Sequence, residues 1–251
     1  MNYKSSSFRK IFLKHSSDSF LKIIFALVLT LITMIVFGYH IYDICSKKQE
    51  LRSLIYLFTS ESNILVLVVM ILFFTPLRNK KYFIYLSFIA LISILFTFLV
   101  NHIILDSQEI TKFTCNMNQT TIHYKHTVIP ILYTLFYFGN NLKAISVSQV
   151  YMCLIHPLSY FTFFLIKGLL NHSASYPYDF IDPRKPGIFR IHPHQGYPYL
   201  LLMVLVLSVL VYALAYVLTL IKNKWFSLQQ EKKSRLSKNK LRSSASIRSK
   251  K

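Results

Sequence analysis

A threonine hydroxyl becomes a useful nucleophile only when a base within hydrogen-bond reach accepts its proton, and histidine is the commonest such base. The chain offers that pairing at Thr59 and His126, each near the start of an apolar run. His123 lies three residues before His126, so in a helix both imidazoles share one face. Glu61 and Asn63 follow Thr59 on its run, and His156 stands before Pro157 on a later one. Acyl transfer also needs donors for the oxygen that gathers charge. Asn63, one turn beyond Thr59, and His123 are the candidates. A second chemistry is open to the same histidines, because His123, His126 and His156 would suit zinc; no HExxH-like spacing accompanies them, and no metal or cofactor is expected.

Each of these residues also has a plainer account. The Thr59 hydroxyl can return to a carbonyl one turn back, as threonines do in membrane helices. A carboxylate at Glu61 costs roughly 2.5 to 3.5 kcal/mol in mid-span, so it should be neutral, paired with a histidine or lysine, or facing water. Lys125, beside His126, is expected to snorkel outward.

The elements that must position these groups are apolar helices. Hydrophobic residues make up 53% of the 251 and charged ones 15%, and the charges cluster between long uncharged runs. That distribution predicts an all-α polytopic membrane protein, a bundle of six transmembrane helices at about 19–44, 54–77, 82–105, 121–138, 144–166 and 200–221. A basic N-terminus, 1–18, precedes them, and the first run reads as a retained signal-anchor. The third run is expected to be mostly lipid-facing scaffold, and Pro157 to bend the fifth. The stretch 167–197 is rich in proline and tyrosine, which fits an interfacial aromatic belt around His192 and His194 or a re-entrant lid. The tail, 222–251, is basic, lacks apolar periodicity and is expected to be disordered.

With the N-terminus inside, twenty of the 29 lysines and arginines fall on the cytoplasmic side, eleven of them after Ile221. The bias predicts a cell-membrane protein with both termini cytoplasmic. The net charge of +20 is therefore largely a tail, suited to anionic lipid and without the stacking groups of a nucleic-acid binder, so membrane lipids are the expected partners. Cys45 and Cys115 could lie on one side of the membrane. In this topology Thr59 lies roughly 10 Å and His126 about 8 Å into their spans from the same outer face, with Glu61, Asn63 and His123 in that layer and His156 deeper.

Four stretches in this order, Phe58-Thr59-Ser60-Glu61-Ser62-Asn63-Ile64-Leu65, His126-Thr127-Val128-Ile129-Pro130, His156-Pro157-Leu158-Ser159-Tyr160 and Tyr176-Pro177-Tyr178-Asp179-Phe180-Ile181-Asp182, resemble motifs of the androgen-induced protein and ADTRP family of six-span membrane proteins, in its bacterial branch. The resemblance implies a threonine hydrolase acting on fatty acyl esters in the bilayer, with Thr59 as nucleophile and His126 as base. Glu61 near the threonine and His156 before Pro157 depart from the animal pattern. A non-catalytic membrane protein, such as a small transporter or a lipid-binding scaffold, is the alternative.

Overall fold

The computed structural model describes residues 17–47, 56–105, 117–140, 145–171, 173–178, 181–185 and 196–248. The regular structure among them is helical throughout. Helix α1 is Ser17–Ser46 and α2 is Phe58–Phe73, followed by a 3-10 turn, Pro76–Asn79, whose amide at Leu77 is capped by the Thr75 hydroxyl. Helix α3, Lys81–Leu99, runs on into a wider π turn at Val100–Leu105. Next, α4 (Met117–His123) is joined to α5 (Ile129–Gly139) by a second π turn, Tyr124–Val128. A 3-10 stretch, Val147–Leu154, leads into α6, Ile155–Leu170, and α7 is Gly196–Arg248.

Among the described residues four helices are long and apolar enough to cross a membrane: Phe20–Ser46, Lys81–Ile103, Val147–Leu170 and Gly196–Glu231. Phe58–Phe73 is a shorter apolar helix. The run through α4 and α5 carries His123, Lys125 and His126 in its first half. Polarity is arranged inside out relative to a soluble bundle. Ile35, Phe163 and Leu205 are more than half exposed, while Ser62, Ser87 and Ser93 are fully buried. Large apolar surfaces of this kind need a nonaqueous neighbour.

Helix α3 is the most enclosed of the long helices, in contrast to the lipid-facing scaffold expected of it. It packs against α2, α5 and α6, with Ala90, Leu91, Ile92 and Ile94 fully buried. In a bundle whose surroundings are as apolar as its core, hydrophobicity does not distinguish the two faces; the small hydroxyls Ser87, Ser93 and Thr97 do.

Two prolines shape the helices differently from a simple kink. Pro130 cannot donate to the His126 carbonyl, and its ring would collide with it in regular α geometry; the wide turn just before α5 absorbs both effects. Pro157 falls two residues after the 3-10 stretch Val147–Leu154 gives way to α6 within the continuous span Val147–Leu170, so the helical pitch changes just before the proline.

Helix α7 continues without a break through the residues expected to form a disordered tail. No glycine or proline follows Pro198, and Lys, Arg, Gln and Leu are good helix formers, so a helix nucleated within the bundle can propagate outward. Its fully buried Lys222 donates to the carbonyls of Tyr137 (2.6 Å), Phe138 (3.2 Å) and Asn140 (2.7 Å). These are orphan acceptors at the end of α5. Nearby, Leu21, Lys22 and Phe25 of α1 form one groove with Phe136, Gly139 and Asn140. The start of α1, the end of α5 and the middle of α7 thus meet at one end of the bundle.

Candidate active site

Thr59 is the second residue of α2. Leu57, at the N-cap, is extended and supplies no side-chain cap, which leaves the first amides of the helix without intrahelical partners. Tyr178 comes near them from the segment before α7, with its phenol close to the Thr59 side chain and to the backbone of Phe58 and Thr59. Burial pushes this phenol up from its ordinary pKa, and the neighbouring Thr59 and Phe58 groups oppose the shift only in part. The group stays a protonated donor at neutral pH.

His126 sits in the π turn and lines the same cavity as Thr59 and Tyr178. Thr97 and Asn101 of the α3 rod supply further polar groups, and Phe58, Phe96 and Phe161 supply aromatic walls. The volume open to a water centre is about 20 Å³, room for one water. The His126 Nδ1 is buried without a hydrogen-bond partner, and the Thr97 backbone lies beside the ring.

Around the cavity the helices are laced by polar contacts. His156 joins Glu61 through Nε2 (3.2 Å) and Ser93 through Nδ1 (2.8 Å), linking α6, α2 and α3. Phe58 stacks on the His156 ring with centroids 4.7 Å apart. Ser62 and Thr97 share a 2.7 Å hydroxyl bond across α2 and α3. Glu61 is thus paired with a histidine, one of the states expected for it. His102 meets Thr127 at 3.1 Å.

Asn63 and His123 do not line the Thr59 cavity. The Asn63 amide donates to the Thr59 carbonyl (2.8 Å) and to the Lys125 carbonyl (3.3 Å), so it ties α2 to the π turn and is committed elsewhere than to an oxyanion. It also belongs to a second small cavity with His40, Ser60 and Lys125. Lys125 is buried there instead of snorkelling outward, because the π turn rotates it toward α1. Among the described residues no three His, Cys, Asp or Glu side chains gather to hold a metal ion; His156 is instead engaged by Ser93 and Glu61.

The segment that brings Tyr178 to the site is fixed at several points. Tyr56 donates to the Ser175 carbonyl at 2.6 Å, and the Tyr176 ring lies so close to Gly168 that a Cβ there would overlap its hydroxyl. Arg184 grips Asp182 through Nε (2.8 Å) and Nη2 (2.9 Å), donates to the Ala174 carbonyl, and lies over the Tyr176 ring. Burial pushes the Asp182 carboxyl up, but the Arg184 bonds outweigh it and hold the group below its ordinary value. This strap, 173–178 and 181–185, is the described part of the stretch read as an aromatic belt or lid. His192, His194 and Cys115 lie outside the described residues, and Cys45 is exposed.

Sequence reading missed Thr97, Asn101 and Ser93 as members of this region, although 93, 97 and 101 recur every four residues and share one helix face. Tyr178 entered it only through the belt-or-lid stretch and the fourth motif, and its place beside Thr59 depends on the strap folding back. Comparison with family models, curated proteins and solved structures yields no match for the chain.

Proposed function

We propose that the chain is a six-span protein of the cell membrane with both termini cytoplasmic, akin to the androgen-induced protein and ADTRP family, and that it hydrolyses a lipid ester. Thr59 is the nucleophile and His126 the base. The observation that carries this reading is their convergence, from separate helices, on the lining of one water-sized cavity, with the Nδ1 of the buried His126 ring left without a hydrogen-bond partner.

The chemistry follows from the groups present. His126 Nδ1 takes the Thr59 proton as Oγ1 attacks the ester carbonyl, and the carbonyl π electrons move onto its oxygen. The Tyr178 O–H, on the lining of the same cavity, donates to that oxygen. Collapse expels the alcohol, which receives the proton from His126. Water then repeats the sequence on the acyl-threonine, releasing the fatty acid and restoring the hydroxyl.

The test uses full-length protein in liposomes with 4-nitrophenyl fatty acyl esters and a fluorophosphonate probe. Thr59→Ala and His126→Ala should each abolish turnover, the double variant should be no worse than either, and Thr59→Ser should keep part of the activity. Labelling should disappear in Thr59→Ala. Wild type that neither labels nor turns over any ester, or full activity in Thr59→Ala, ends the hydrolase reading. The half-buried Glu61–His156 pair supports a second reading, a carrier; that protein would depend on Glu61 and tolerate Thr59→Ala.

A further inference from the structure

A further cavity lies on the other side of Phe161. It is walled by Leu158 and Leu165 of α6 and by Leu200, Leu201 and Val204 of α7, and Tyr176 and Ile181 of the strap close one side. Its volume is about 90 Å³. No charged side chain lines it, and Phe161 borders both this cavity and the one holding Thr59 and His126. At the rim, Leu158 and Leu201 are 37% and 54% exposed, so the slot opens onto the apolar outer surface between α6 and α7.

We infer that this slot is the binding site for the hydrocarbon chain of the ester, with the Phe161 ring as the partition between chain and reacting carbonyl. The role in hydrolysis rests on the function proposed above; chain binding does not. Three features select this occupant. The walls are mostly hydrocarbon, with the Thr162 and Tyr176 hydroxyls as polar groups among them, so they offer a hydrophobic ligand burial and offer a charged headgroup no ion-pair partner. The rim opens where a lipid tail would already be, so the chain arrives sideways and needs no passage through water. The inner end stops one aromatic ring from the Thr59 cavity, which itself holds only a water-sized volume. Rotation of Phe161 then places the carbonyl beside Thr59 while the chain stays in the slot.

Two measurements on full-length protein in liposomes test this. A stearoyl ester carrying a diazirine along its chain is photolysed and the labelled peptides are mapped; label should concentrate in 158–165 and 200–204. In parallel, kcat/KM is compared for 4-nitrophenyl octanoate and acetate, and Val204→Trp, which fills the slot, should lower the octanoate-to-acetate ratio by about tenfold or more. Leu165→Phe serves the same purpose if the larger substitution fails to fold. Label concentrated in the slot without turnover of any ester would keep the chain site and remove the hydrolase reading. Thr59-dependent hydrolysis with an unchanged ratio, and label spread over the outer faces of α1 and α7, would overturn the chain site alone.

Discussion

Tyr178 lines one cavity with Thr59 and lies near the start of α2, which places a donor where charge would gather during attack. Tyr178→Phe keeps the ring and removes only the O–H. In the active protein this change should lower kcat by roughly 10² to 10³ with little change in KM, and a melting curve near that of wild type would separate the effect from unfolding. An unchanged kcat would remove Tyr178 from the mechanism. At this scale the sequence is readable where a polar group interrupts an apolar run, as at Thr59, Glu61, His126 and His156, because burying such a group in hydrocarbon demands a partner. It is silent on pairing. Nothing local indicates that His156 would choose Ser93 and Glu61, or that Asn63 would spend its amide on two carbonyls.

Helix existence was legible from the apolar runs, while helix environment was not: α3 reads as lipid-facing yet lies at the centre, since hydrocarbon and protein core select the same side chains. Two contacts between elements make predictions. Gly168 on α6 accommodates the Tyr176 ring of the strap, so Gly168→Ala should displace the strap and with it Tyr178. Hydrogen exchange at 173–178 should rise in that variant while α3 stays protected, and unchanged exchange would show that the strap does not depend on this contact. Lys222 on α7 closes the end of α5 with three bonds to carbonyls. Bonds to charged groups contribute roughly 1.5 to 3 kcal/mol each, so Lys222→Met should lower the melting temperature clearly, even though the methionine restores the apolar volume. A melting temperature equal to wild type would show that water or another group caps α5 equally well.

For the molecule as a whole, the start of α1, the end of α5 and Lys222 share one end of the bundle, and Tyr56 and Ser175 meet elsewhere, beside the candidate site. Under the proposed topology the first end is cytoplasmic. In a cysteine-free background, a cysteine at Ser246 should be shielded from an impermeant thiol reagent in intact cells and one at Ser173 should react; the reverse pattern would invert the protein in the membrane. Chain composition made the membrane class legible, but the length of α7 was not, because a strongly basic sequence without apolar periodicity reads as coil until a preceding helix is there to extend it. That helix has 53 residues, about 80 Å at 1.5 Å per residue, against a hydrocarbon core of roughly 30 Å. A straight rod leaving the bilayer near Lys222 would carry its last basic residues about 40 Å into the cytoplasm. Screening by physiological salt acts over about 8 Å, so the far half of the rod would sit several screening lengths from the leaflet and feel almost none of its charge. The distal lysines and arginines would then act as a positively charged arm held away from the membrane, and only those nearest Lys222 would attract its lipids.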